Sequence, residues 1–245
     1  PDAFDSTRLE SEVWVTRRVS ERLSVSPGIK MVLNQVDQDR ESRRYWLFGA
    51  PLKITYDHSN DLLDPTRGYR IRSTHTPMID FLKEDVSFFK NEITFTHYLP
   101  FAEEDKYVLA TRIHAGSIVG EGLSGIPADE RFYAGGGGSI RGYEYQRVGP
   151  LNRRGNPIGG RSVIDCSAEF RARINDGFGM AVFVDGGSAF DATYPDFSET
   201  IRWAAGAGVR YFTPIGPFRL DVAIPVNRRS GDSAFQIYLG IGQAF

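Results

Sequence analysis

The feature that most constrains this chain is alternation of period two over long stretches, with one face apolar and the other crowded with charge. From Ile164 to Ile174 one face holds Asp165, Ser167, Glu169, Arg171 and Arg173, and the other Ile164, Cys166, Ala168, Phe170, Ala172 and Ile174. Over 179–189, Met180, Val182 and Val184 oppose Ala181, Phe183 and Asp185; over 218–225, Phe218, Leu220, Val222 and Ile224 oppose Arg219, Asp221 and Ala223. The stretch 235–245 sets Phe235, Ile237, Leu239, Ile241 and Phe245 against Gln236, Tyr238, Gly240, Gly242 and Ala244. Side chains that alternate between faces define β-strands. Further strands read at about 12–19, 28–37, 45–58, 68–79, 86–99, 106–119 and 203–212, eleven in all. No stretch carries a helical stripe, so the fold class is all-β and antiparallel.

Two architectures present such faces. A soluble barrel or sandwich hides the apolar face and wets the polar one; a transmembrane β-barrel turns the apolar face to lipid and the polar one to its lumen. The length and regularity of the strands, and mixed charge such as Arg70, Arg72, Lys90, Glu92 and Arg112 on the polar face, favour the membrane barrel. A mean hydropathy of −0.31 is no obstacle, because a spanning strand needs only about 9–11 residues and half of them face lipid. In this register Phe170, Val182, Val184, Phe218, Leu220, Val222, Ile237, Leu239 and Ile241 face lipid. Asp165, Glu169, Arg171, Arg173, Asp185, Arg210, Arg219 and Asp221 face the lumen. A one-residue slip would invert every one of them.

Apolar residues at 41% and charged residues at 24% exclude disorder. A net charge of −2 provides no basic field for nucleic acid. The single Cys166 allows neither an intrachain disulfide nor a cysteine metal site. No signal peptide opens the chain, which begins as abruptly as a processed product or a fragment does.

Turn chemistry punctuates the strands: Pro27-Gly28, Asp64-Pro65-Thr66-Arg67-Gly68, Asn175-Asp176-Gly177 and Thr213-Pro214-Ile215-Gly216-Pro217 read as tight turns. Short connections at 20–27, 59–67, 100–105, 175–178 and 213–217 alternate with longer ones at 38–44, 80–85, 120–162, 190–202 and 227–234. Outer-membrane barrels have short periplasmic turns and longer external loops, so the alternation orients the chain.

The connection 120–162 is far too long for a hairpin loop and implies a function. Its centre runs Glu130-Arg-Phe-Tyr-Ala-Gly-Gly-Gly-Gly-Ser-Ile-Arg-Gly-Tyr143. The four glycines suggest backbone pressed against other structure, or positive φ. A phosphate loop would need a Gly-Lys-[Ser/Thr] ending and a following helix, and neither is present. Gly122-Leu-Ser-Gly125 does not complete a nucleophile elbow. His58, His75, His97 and His114 show no ligand spacing. Glu169 and Asp185 suit ion pairing better than catalysis. No catalytic residue, metal ligand or cofactor is expected, and the chain is read as no enzyme.

Ile140-Arg141-Gly142-Tyr143, preceded by Phe132-Tyr133-Ala134-Gly135-Gly136, resembles the Val-Arg-Gly-Phe/Tyr loop signature of the BamA/TamA superfamily of outer-membrane assembly and translocation barrels. Asp64-Pro-Thr-Arg-Gly68 resembles that family's periplasmic turn, Phe183-Val-Asp-Gly-Gly187 its Phe-x-Asp-x-Gly strand motif and Thr213-Pro-Ile-Gly-Pro217 its penultimate turn. The terminal aromatic of 235–245 resembles an outer-membrane assembly signal. The tetraglycine and Tyr143-Glu144-Tyr145 look closest to the TamA branch.

The resemblance implies a sixteen-strand barrel preceded by POTRA domains. With five strands after the long loop and about six before it, residues 1–245 would be the C-terminal portion of such a barrel, without POTRA domains and without the first strands. It implies a bacterial outer-membrane location, the lipid bilayer and client outer-membrane proteins as partners, and an inner-membrane or periplasmic partner reached through upstream domains. It assigns a lock within the lumen, in which Arg141, flanked by Gly142 and Tyr143, grips Glu169 and Asp185. A weak lateral seam is expected at the last strand, with Gly240, Gly242 and Phe245. A passive porin-like channel is the alternative function. Eleven hairpin-linked strands begin and end in the same direction, so the chain is expected either to close as ten strands, pairing 28–37 with 235–245 and leaving residues near 12–19 outside the ring, or to stay open and pair with another chain.

Overall fold

The computed structural model describes residues 4–38, 41–82, 87–102 and 105–245. The strands are β1 (Asp5–Trp14), β2 (Arg17–Arg18), β3 (Leu23–Gln38), β4 (Glu41–Gly49), β5 (Leu52–Asp57), β6 (Gly68–Asp80), β7 (Ser87–Phe101), β8 (Tyr107–Val119), β9 (Ser162–Arg173), β10 (Phe178–Phe190), β11 (Arg202–Tyr211), β12 (Phe218–Pro225) and β13 (Gln236–Ile241). They form one antiparallel sheet in the order β1-β3-β4-β6-β7-β8-β9-β10-β11-β12-β13. β2 continues the line of β1 against β3, and β5 continues that of β4 between β3 and β6. The sheet therefore has eleven positions, the number read from the alternation.

The two interruptions correct the reading of Pro27-Gly28 as a turn. Both residues lie within β3, Pro27 opposite Leu52 and Gly28 opposite Trp14. Proline cannot donate to a ladder, so it is tolerated where the neighbouring strands break. Here both neighbours do so. The Pro27 carbonyl accepts from Val15 N at 3.0 Å, and Gly28 N donates to the Pro51 carbonyl at 2.8 Å. The link 38–44, read as one of the longer connections, is instead short: β3 runs to Gln38 and β4 begins at Glu41.

The sheet is open. β3 is flanked by β1 and β2 on one side and by β4 and β5 on the other, so the ten-strand ring pairing it with the last strand does not form. Among the described residues, β1 and β13 each have one unpaired edge.

The register of faces holds throughout β9–β13. Phe170, Val182, Val184, Phe218, Leu220, Val222, Ile237, Leu239 and Ile241 are all exposed on the convex side. Asp165, Glu169, Arg171, Asp185, Arg210 and Asp221 are buried on the concave side; Arg219, also expected there, is half-buried, and Arg173, at the short-turn end of β9, is exposed and pairs with Asp64. Aromatic side chains gather at both ends of the convex face. At the short-turn end, Phe178 lies 5.2 Å from Tyr211, Tyr107 stacks on Phe170 at 5.8 Å, and Phe218 sits opposite Tyr211. Trp46 meets Phe81 at 5.6 Å at the other end. An apolar band between two aromatic girdles is the outer surface of a transmembrane barrel.

The core lies between the concave face and the connection 120–161, which folds back into it. Val32, Leu47, Met78, Phe88 and Ile118 of the wall pack with Ile126, Phe132, Ile140, Tyr143 and Val148 of the connection. Three isolated bridges, Phe132 to Gly160, Ala134 to Val148 and Leu151 to Pro157, give the connection its own framework.

Candidate functional site: the loop lock in the lumen

Arg141 stands at the centre of the lumen and is 2% exposed. Its Nε donates to Asp185 Oδ2 at 2.8 Å and its Nη2 to Asp185 Oδ1 at 3.0 Å, a bidentate grip. Its Nη1 donates to Glu169 Oε2 at 2.7 Å and to Asp221 Oδ2 at 3.2 Å. Nη2 also reaches Ser167 Oγ at 3.2 Å, and the Arg141 peptide N–H donates to Asp185 Oδ2 at 3.0 Å. The guanidinium carbon lies 3.3 Å from the centroid of the Phe183 ring. A planar fork with five donors suits three carboxylates and an aromatic face, where a lysine ammonium would not.

Strand parity explains how the partners converge. Ser167 pairs with Asp185 and Glu169 with Phe183 across the β9–β10 ladder, so all four share one face. Asp221 arrives from β12. The carboxylates are held by further arginines: Arg171 Nε donates to Glu169 Oε1 at 2.8 Å, Arg210 Nη1 to Asp221 Oδ1 at 2.5 Å, and Arg210 Nη2 lies 3.3 Å from Glu169 Oε1. Buried charge on this scale persists only when paired and hydrogen-bonded.

The neighbouring backbone requires glycine. Gly142 has φ +101, and a Cβ there would stand 2.8 Å from Ala204 Cβ and 3.1 Å from the Ile224 carbonyl carbon. Within the tetraglycine, Gly135 and Gly136 take φ of +104 and +93. Tyr143 is buried beside the lock, its hydroxyl donating to Asn227 Oδ1 at 3.0 Å. The structure brings Arg141, Gly142, Tyr143, Glu169 and Asp185 together in one place. Asp221, Ser167, Phe183 and Arg210 belong to the same network; parity placed all four on the lumen face, but nothing in the sequence said that they reach Arg141.

Gly240, Gly242 and Phe245 lie elsewhere. Gly240 faces Arg219, whose Nε would stand 2.8 Å from a Cβ at that position. β13 ends at Ile241, and Gly242 turns the chain with φ +83. Phe245, read on the apolar outer face, is therefore inside. It packs against the cluster of Tyr98, Val108 and Ala110, with Arg171 5.5 Å from its ring centroid. Period two fails there because the strand stops four residues short of Phe245. The turn 58–67 reaches across to this segment: Leu63 O accepts from Gln243 N at 3.1 Å, Asp64 Oδ1 from Gln243 Nε2 at 2.8 Å, and Asp64 Oδ2 from Arg173 Nη2 at 2.6 Å.

A second anchor of the connection escaped the sequence. Glu130, 3% exposed, accepts from Arg8 at 2.7 Å and from Lys30 at 3.3 Å, and lies 3.7 Å from Lys90. Asp129 accepts from Asn34 at 2.8 Å. Burial opposes ionisation of Glu130, but Lys90, Lys30 and Arg8 together pull its pKa from 4.5 down to about 2. A carboxylate depressed in this way stabilises the fold above the unfolded value of 4.5, and that contribution fades as pH falls toward 2. Wild type is expected to lose on the order of 2 kcal/mol more than Glu130→Gln between those limits. Denaturant unfolding of both proteins across acid pH measures this, and parallel pH profiles would contradict it.

An antiparallel sheet with a lipid-type exterior, filled by a long connection locked through one arginine, defines a class: transmembrane barrels with a plugging internal loop. The chain belongs to the Omp85 superfamily, whose domain matches residues 1–245. It is 24% identical over 233 residues to the outer membrane protein assembly factor BamA of Neisseria meningitidis, covering 82% of this chain and 29% of that protein. It is 24% identical over 239 residues to a SAM50-like protein of Schizosaccharomyces pombe, covering 92% of this chain and 48% of that one. The fold matches BamA from Haemophilus ducreyi with a TM-score of 0.77 at 20% identity, over 96% of this chain and 54% of that one. It matches CdiB from Escherichia coli with a TM-score of 0.60 at 14% identity, over 96% and 44%. The chain thus spans under half the length of these curated relatives. The superfamily is established, and the TamA branch is not singled out within it.

Proposed function

We propose that this chain is the wall of an outer-membrane assembly barrel that accepts client β-strands at the lateral seam bordered by its last strand while the lumen stays plugged and locked. The observation that carries this reading is the edge of β13. Its ladder with β12 covers six residue pairs, against thirteen between β7 and β8, and its other side is unpaired among the described residues. Unpaired strand edges template the addition of another strand, and in hydrocarbon such edges demand a partner. Gly240 weakens the strand further. The Neisseria meningitidis relative, an outer membrane protein assembly factor by name, supports the reading. The bacterial outer membrane is the location this reading assigns, and unfolded outer-membrane proteins are the substrates.

The test places a photoreactive residue at Leu239 on β13 and at the equally outward Val182 in the middle of the wall. The full natural protein, in liposomes, is then given an unfolded client barrel. Crosslinks to client are expected at Leu239 and absent at Val182. Equal capture at both sites contradicts edge pairing. Steady ion conductance without client insertion supports the passive channel instead.

A further inference from the structure

The inward face of β13 carries Gln236, Tyr238 and Gly240, and Tyr238 joins the strand to the locked loop. Its hydroxyl accepts from Gly142 N at 3.1 Å and donates to the Tyr143 carbonyl at 3.1 Å. Its ring lies over Gly137, where a Cβ would come within 2.9 Å of Cδ1. One phenol thus satisfies a donor and an acceptor on the two residues that follow Arg141. The connection before β13 is tied to the same loop: Ser233 Oγ donates to Glu144 Oε1 at 2.5 Å, and Asn227 accepts from Tyr143. The other end of the strand is held without the loop, by Gly242 N on Pro217 O at 2.7 Å and by Gln243 on Leu63 and Asp64.

We infer that Tyr238 is a positioning residue that makes the β13 edge report on the lock: with Arg141 docked, Tyr238 clamps the strand into the wall, and with the loop released, β13 peels from its Gln236 end while the 242–245 end stays pinned. The strand is then a flap with a hinge, and the loop is its clasp. This deepens the proposed function and rests on it only for what the flap receives.

Amide hydrogen exchange of the full natural protein in lipid nanodiscs, with no client present, tests the clamp. Tyr238→Phe keeps the ring and removes the hydroxyl. Exchange across 236–241 is expected to rise about tenfold, the scale of one lost hydrogen bond to buried groups. The rise should be steeper at the Gln236 end than at Ile241. The segment 136–143 should loosen with it, while β9 and β10 stay unchanged. Arg141→Lys, which weakens the lock, should raise exchange in 236–241 of the wild type and add little once Tyr238 is Phe. Unchanged exchange of β13 in Tyr238→Phe, or effects of the two substitutions that simply multiply, overturns the coupling. Failure of client crosslinking with this coupling intact would count against the proposed function and not against the clamp.

Discussion

Arg141→Ala is expected to cost the barrel about 3–5 kcal/mol, because it leaves buried carboxylates without their shared cation. The damage falls unevenly. Glu169 keeps Arg171 and Arg210, and Asp221 keeps Arg210. Asp185 loses both guanidinium bonds and retains Ser167 Oγ at 2.5 Å and the Arg141 peptide N–H. Asp185→Asn in the Arg141→Ala background should therefore recover much of the loss, since it removes the stranded charge, whereas Asp185→Asn alone should destabilise. Lysine at position 141 should rescue only in part, lacking the fork that grips Asp185 bidentately. Denaturant unfolding of the four proteins of this double-mutant cycle, in one detergent, gives the coupling directly. Strict additivity would mean that Arg141 and Asp185 do not interact in solution.

Val222→Arg is expected to cost about 2–4 kcal/mol, and Phe218→Arg on the same strand only about 0–1, because the penalty for a cation on a barrel's lipid face falls with distance from the midplane. Val222 stands mid-strand on β12, flanked by Ala207 and Ile237 on the exposed face. Phe218 stands at the short-turn end beside Tyr211, within the aromatic girdle, where a long cationic side chain reaches the interface. Comparing unfolding in bilayers with unfolding in denaturant alone separates the lipid contribution. Equal costs at the two positions would contradict the placement of the bilayer on this face.

Some of this molecule was legible at the level of single residues. Alternation around Glu169, Asp185 and Asp221 assigned inside and outside because successive side chains on an extended backbone must point oppositely, whatever the rest of the chain does. The length of the connection 120–162 and its Arg141-Gly142-Tyr143 tip marked a segment with a role of its own. The same local rule failed where the backbone left the extended state. Phe245 carries the right parity for the outer face, yet the turn at Gly242 brings it inside. Pro27-Gly28 has the composition of a turn but lies in a strand, since its neighbours on both sides open to receive it.

Period two says which face a residue is on and nothing about what meets it across a curved sheet. That Arg141 gathers Asp221 from β12 as well as Glu169 and Asp185, that Glu130 finds Arg8, Lys30 and Lys90 on three separate strands, and that Tyr238 ties β13 to the loop tip all depend on the curl of the sheet and the path of the connection inside it. Those are set by contacts between residues as much as 122 positions apart. Among the described residues, β1 and β13, the first and last of eleven antiparallel positions, run in the same direction and each has one unpaired edge, which no strand's own alternation could show. Alternation along the chain determines the faces; only tertiary structure determines the partners, because a charge in the lumen is stabilised by whichever counter-charge the fold brings within hydrogen-bonding distance.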